Sequence, residues 1–136
     1  LAFIGNHKKF GSKSDRDRQT TKRSGDAAED LALQYLQRQG LCLLVRNYRT
    51  PGRGGGEIDL IMREPDATVV FVEVRKRQNA KFGGALASVS VTKQRRIMFA
   101  AQHYLLRWPK LPACRFDVLA VEGDALNWYK AAFHQG

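Results

Sequence analysis

Cysteine, long apolar runs and, over one long stretch, acidic side chains are scarce in this sequence, and each shortage excludes something. Cys42 and Cys114 are the only cysteines among 136 residues, too few for a disulfide-framework domain. Each sits in a strand-like apolar run and reads as a buried free thiol in a reducing compartment, with a single bridge between them left open. His7, His103 and His134 stand at no zinc-ligand spacing from either cysteine, which argues against a zinc site. No apolar run approaches the ~18 residues of a membrane span. The opening Leu1-Ala2-Phe3-Ile4 is too short for a signal-peptide core, and basic residues follow it rather than precede it. A cytoplasmic protein without a membrane partner is expected.

The shortage of acids is uneven. Lys and Arg number 23 against 13 Asp and Glu, a net charge of +10. From Val74 to Phe116 there are ten Lys/Arg and no acid, and residues 1–24 hold seven Lys/Arg against Asp15 and Asp17. Such an excess favours polyanions, nucleic acid before membrane surface. A solvated charged surface is the plainer alternative. Residues 1–24, polar and basic, read as a disordered tail, and residues 25–136 as one domain.

Within that domain a helix pattern starts near Asp26, with Ala28, Leu31, Ala32, Tyr35 and Leu36 as its apolar stripe and Gly40 as its stop. Leu41 to Val45 reads as a strand buried on both faces. Residues 49–56, rich in glycine, read as a flexible connection. Strands are expected over 57–63 and 68–75, joined by the turn Glu64-Pro65-Asp66-Ala67. A second helix is expected from Thr92 to Trp108, burying Ile97, Ala101, Tyr104, Leu105 and Trp108 before Pro109 ends it. A strand over Arg115–Val121 and a short one over Ala125–Tyr129 complete the order α-β-β-β-α-β with a terminal extension.

What stands out is acid placed on apolar strands: Gly56-Glu57-Ile58-Asp59-Leu60-Ile61 and Phe71-Val72-Glu73-Val74-Arg75. A buried carboxylate is costly unless something pairs with it. Alternation puts Glu57 and Asp59 on one face, with Ile58 and Leu60 on the other. It likewise separates Phe71, Glu73 and Arg75 from Val70, Val72 and Val74. If the two strands form a hairpin, Asp59 and Glu73 lie side by side near Arg75. Paired carboxylates of this kind suit a hard divalent cation.

The ordered set extends along the chain. It comprises Gly25-Asp26-Ala27-Ala28-Glu29-Asp30-Leu31-Ala32, Tyr35-Leu36, Gly40, Asn47-Tyr48-Arg49, the two acid-bearing strands, Lys93-Gln94 and Arg115-Phe116-Asp117-Val118. It resembles the YraN family of nuclease-like proteins, within the PD-(D/E)XK superfamily of restriction-endonuclease-like and Holliday-junction-resolvase-like folds. The resemblance implies a single α/β domain with an αβββαβ core, a mixed central sheet and flanking helices. It also implies Mg²⁺-dependent (or Mn²⁺-dependent) hydrolysis of DNA phosphodiesters, on branched or structured DNA by analogy with the resolvases. A homodimer is left open. The alternative is a nucleic-acid-binding module that keeps the fold without turnover, and a third option is a partner-binding scaffold with ion-paired acids.

By that resemblance Asp59 and Glu73 are metal ligands and catalytic residues, Glu29 completes the metal site, and the Val74 carbonyl is a further donor. Each has a plainer alternative: Asp59 as a strand-end cap, Glu73 as the ion-pair partner of Arg75, Glu29 in a capping box with Asp26. Arg75 replaces the superfamily's usual Lys. Arginine stays protonated, so it can hold phosphate or developing charge but not act as base. That duty passes to water activated by the metal, or to Lys76 or Lys93. Lys76, Arg77, Lys93 and Gln94 are the expected nucleic-acid contacts, with helix-surface filler as the alternative for the last two. Asp117 reads as structural, paired with a basic residue.

Overall fold

The computed structural model describes residues 25–77 and 89–134. The expected tail lies outside the described residues. Residues 25–38 form helix α1. Strands β1 (Cys42–Arg49), β2 (Glu57–Arg63) and β3 (Val69–Lys76) follow, then helix α2 (Val91–Leu105) and strands β4 (Cys114–Glu122) and β5 (Ala125–Phe133). The five strands form one mixed sheet in the order β1-β2-β3-β4-β5. Only β3 and β4 are parallel, and α2 lies in the long connection such neighbours require. The αβββαβ order expected from sequence is present, with β5 added at one edge.

Each face of the sheet buries its own cluster. Phe71 and Val118 meet Ile97, Ala101 and Tyr104 of α2. Val70, Val72 and Leu119 meet Ala28, Ala32 and Leu36 of α1. The alternation read for β3 therefore holds, with Val70, Val72 and Val74 toward α1 and Phe71 toward α2. Full burial of each such large apolar side chain contributes about 1.5–3 kcal/mol, so β3, buried on both faces over most of its length, anchors the domain.

Helix α1 ends where expected, with the Leu41 N–H reaching back to the Leu36 carbonyl at 3.1 Å. Helix α2 is capped by Ser90, whose hydroxyl accepts from the Lys93 N–H at 3.1 Å. It buries Ile97, Ala100, Ala101 and Tyr104 and ends at Leu105, a turn before Pro109.

Several expectations need correction. The run Leu41–Val45 is not buried on both faces. It opens β1, an edge strand paired with β2 alone. Cys42 and Cys114 are free but exposed, because each is the first residue of its strand. Leu31 lies on the open side of α1. Asp26 already lies within the helix, and its carbonyl accepts from the Arg46 guanidinium at 3.3 Å. β5 is longer than the expected edge segment, because Asp117 holds its far end.

Ile58 and Leu60 do not share a face. Ile58 joins the cluster beneath α2 and Leu60 the one beneath α1. The partner strand does the same. Arg46 meets α1, while Tyr48 packs on Tyr104 of α2, although residues two apart on a regular strand share a face. Between them Asn47 has a left-handed φ of 56°. Both strands thus turn over at the level of Asn47 and Asp59.

Candidate functional site

At that level the β2–β3 ladder ends. Its register runs from Arg63↔Val69 to Leu60↔Val72. The next donor on β3, the Val74 N–H, goes to Asp59 Oδ2 at 2.8 Å instead of to a strand carbonyl. The same register sets Glu73 beside Asp59. Glu73 is only 3% exposed, and two cations approach it: Arg75 Nη1 and Lys93 Nζ, each 3.5 Å from Oε2. Both separations exceed the roughly 2.7–2.9 Å of a charge-assisted hydrogen bond, so the carboxylate is attended rather than clamped.

The electrostatics follow. Burial, then the charge of Glu73 and a hydrogen bond shared with it, push the Asp59 carboxyl up to about 8, against weaker opposition from the Val74 N–H and Lys93. Two carboxylates that close cannot both ionise cheaply. A bound cation would relieve that repulsion.

Glu29 is brought near but is otherwise engaged. Its Oε1 meets Arg46 Nε at 3.3 Å, and Arg46 also binds Asp30 at 2.7 Å, tying α1 to β1. Burial and then the charge of Asp59 raise the Glu29 pKa, and Arg46 lowers it. Glu29 and Asp59 line one hollow with Gly25, Asp26, Asn47 and Glu57. Among the described residues, no three His, Cys, Asp or Glu side chains converge as a metal cage.

The donor set still fits Mg²⁺, which commonly binds through one or two carboxylates and otherwise keeps water. Asp59 and Glu73 are the two carboxylates that would hold it.

The remaining expected residues divide. Lys93 belongs to the site, carried there by the first turn of α2. The Gln94 side chain is turned away, donating from Nε2 to the Val89 carbonyl at 3.1 Å. Lys76 is the exposed last residue of β3, and the Arg77 N–H extends the sheet to the Val121 carbonyl at 2.8 Å. Asp117 is structural, as expected. It is fully buried and accepts from Arg115 Nε at 3.0 Å, Trp128 Nε1 at 2.9 Å and the Ala131 N–H at 2.9 Å.

Residues 28–121 match the model described as "Uncharacterised protein family UPF0102". The chain belongs to the UPF0102 family. This is the YraN family whose likeness is read from sequence. A UPF0102 protein of Albidiferax ferrireducens is 67% identical over 114 residues, covering 84% of this chain and 89% of the relative. One from Paracidovorax citrulli is 63% identical over 117 residues, 86% of this chain and 87% of the relative. One from an Acidovorax species is 59% identical over 133 residues, 98% of each. The UPF0102 match contains Glu29, Asp59, Glu73 and Lys93.

Sequence reasoning missed two things in this UPF0102 chain. Nothing in the sequence marks Arg46 as the partner that holds Glu29, and the Gly-rich segment before Glu57 reads there only as a connection. The run Gly54-Gly55-Gly56, directly before an acid-bearing strand, was the available signal for the second.

Proposed function

We propose that this protein hydrolyses DNA phosphodiesters with Mg²⁺ or Mn²⁺ held by Asp59 and Glu73. One observation carries the reading: two carboxylates from adjacent strands meet at the end of a ladder, with Lys93 and Arg75 each 3.5 Å from the more buried one. When bound, the metal would supply Lewis acidity and an activated water nucleophile. The chain's own part is positioning and charge. Asp59 is fixed by the Val74 N–H, which orients its free oxygen lone pairs, and the Val74 carbonyl is the nearest further donor on that strand. Glu73 is approached from two sides by cations. Arg75 and Lys93 would hold the scissile phosphate and stabilise the charge that develops on it. Lys93 enters from α2 as a second charge beside Glu73. Lys76 and Arg77, following Glu73, would hold the strand's backbone without reading its sequence. Branched or structured DNA is the proposed substrate, and the cytoplasm the compartment. Free exposed thiols at Cys42 and Cys114 fit a reducing one. No helix among the described residues is long and apolar enough to cross a membrane.

A second reading has a specific observation behind it. Glu29 is bound to Arg46 and Arg75 stands where a lysine is usual, as in a nucleic-acid-binding module without turnover. Labelled four-way-junction, linear duplex and single-stranded DNA, incubated with Mg²⁺ or Mn²⁺, separate the two. The nuclease reading expects cleavage that EDTA and Asp59→Ala abolish. Tight binding with no cleavage of any substrate supports the module.

A further inference from the structure

The β1–β2 connection is a closed cradle rather than a slack linker. Thr50 latches it. The Gly56 N–H donates to Thr50 Oγ1 at 2.8 Å, and the Thr50 N–H donates to the Gly56 carbonyl at 3.1 Å. The latched loop then lies directly on α2. A Cβ on Gly56 would run into the Arg96 carbonyl and Ala100, and one on Gly55 into the Thr50 hydroxyl. Only glycine permits both approaches.

Between this loop and the first turns of α2 lies a cavity of ≈ 240 Å³, lined by the loop glycines, Thr50, Arg49, Lys93, Arg96 and Glu57. Its charge is lopsided. Three cations accompany one carboxylate, and Glu57 is already engaged by Arg49 at 3.2 Å. The α2 end that borders it carries no acid in its first turn, so the positive end of the helix dipole is not neutralised there.

The cavity is also placed to matter. Lys93 lines it and reaches Glu73 at 3.5 Å. Arg49 and Glu57 line both this cavity and the hollow holding Asp59. The two depressions adjoin across those side chains.

We infer that this cradle holds a phosphodiester of the substrate strand adjacent to the one attacked, so that Arg49, Lys93 and Arg96 fix where the strand lies over Asp59 and Glu73. The substrate's identity rests on the nuclease reading. The recognition does not, because glycine backbone and cations bind phosphate oxygens whether or not turnover follows.

The test uses the full chain in EDTA, where cleavage is stopped. Amide resonances are followed as a short DNA duplex is added and, separately, inorganic phosphate. The amides of Gly52, Gly54, Gly55 and Gly56 are expected to shift with the duplex well before they shift with phosphate. In anisotropy titrations Arg96→Ala and Arg49→Ala should each weaken duplex binding roughly tenfold and lower the salt slope by about 0.9. Glu57→Gln should strengthen binding. Arg63→Ala, at the opposite end of β2, should change it far less. Unmoved cradle amides overturn the inference, as do Arg96→Ala and Arg49→Ala effects no larger than that of Arg63→Ala. Saturation by inorganic phosphate at lower concentration than duplex also overturns it, marking a free-phosphate site. The two readings fail separately: cleavage without cradle shifts sinks the cradle alone, and cradle shifts without cleavage sink the nuclease alone.

Discussion

Two groups of buried and half-buried acid sit on the same sheet and are treated oppositely. On β4, Asp117 accepts from a guanidinium, an indole and a backbone N–H at 2.9–3.0 Å. Its partner Arg115 is also bound to Glu64, and among the described residues only Arg115 Nη2 is a buried side-chain polar atom without a partner. On β2 and β3, Asp59 and Glu73 face each other, with cations held off at 3.5 Å. Nothing in the covalent chemistry distinguishes these carboxylates. What differs is whether the chain supplies enough short donors to satisfy them. Desolvating an ion costs several kcal/mol. The Asp117 site offsets that cost internally and so serves the fold, even using the Ala131 N–H to fix a left-handed residue in β5. The Asp59–Glu73 site offsets it less fully, with cations at 3.5 Å and a raised Asp59 pKa, a kind of perturbation that clusters at functional sites.

The sharpest way to break this contrast is to remove each acid in turn. Asp117→Ala strands Arg115, Trp128 and the Ala131 N–H together, and should cost about 3–5 kcal/mol in urea unfolding. Asp59→Ala should leave stability equal or higher, since it relieves repelling carboxylates. Equal losses at the two positions would erase the distinction.

Somewhat smaller is the expected effect at Arg75. Arg75→Ala should slow cleavage about 10²–10³-fold, as removal of a charge donor at a reacting centre does, while DNA affinity stays nearly intact. Arg75→Lys should retain or raise activity, since charge is kept and proton exchange is added. Loss of stability in Arg75→Ala with no kinetic change would reduce Arg75 to the ion-pair partner of Glu73.

The pH dependence sharpens the contrast further, because the two regions have opposite signs. Asp59 has a folded pKa of about 8 against an ordinary 3.8. The folded chain binds that proton more tightly than the unfolded one, so the contribution is complete below about pH 4 and lost as pH rises through about 8. Glu64 is held below its ordinary value by the Arg115 hydrogen bond, so its contribution is present at neutral pH and lost on acidification. Without metal, the Asp59 contribution should therefore decline between about pH 4 and about pH 8, by up to a few kcal/mol in all at about 1.4 kcal/mol per pKa unit, and level off above. Asp59→Asn should flatten that decline and leave the acid limb unchanged.

Much of this is legible in the sequence, for definite reasons. The hairpin of β2 and β3 follows from alternation about a Pro-Asp turn, and it alone predicts that Asp59 and Glu73 meet. The buried face of α2 follows from helical spacing. What is not legible depends on single torsions or distant contacts. The same apolar letters at Leu41–Val45 describe an edge strand and a central one. The exchange of faces around Asp59 turns on the left-handed φ of Asn47. The latch at Thr50 and the approach of Gly56 to the Arg96 carbonyl join residues whose meeting no local pattern encodes. Likewise Asp117 announces that it needs a partner, but not that Trp128 and Ala131 will supply one.

The most direct measurement is Mn²⁺ calorimetry on the intact chain and on Asp59→Ala, at pH 7 and at pH 8.5. Metal binding requires the deprotonated carboxylate, so the wild type should bind Mn²⁺ more tightly at the higher pH, and a well-folded Asp59→Ala should bind none at either. Wild type that takes up no metal at either pH, together with an Asp59→Ala that unfolds, would contradict the account and make Asp59 a second structural acid like Asp117.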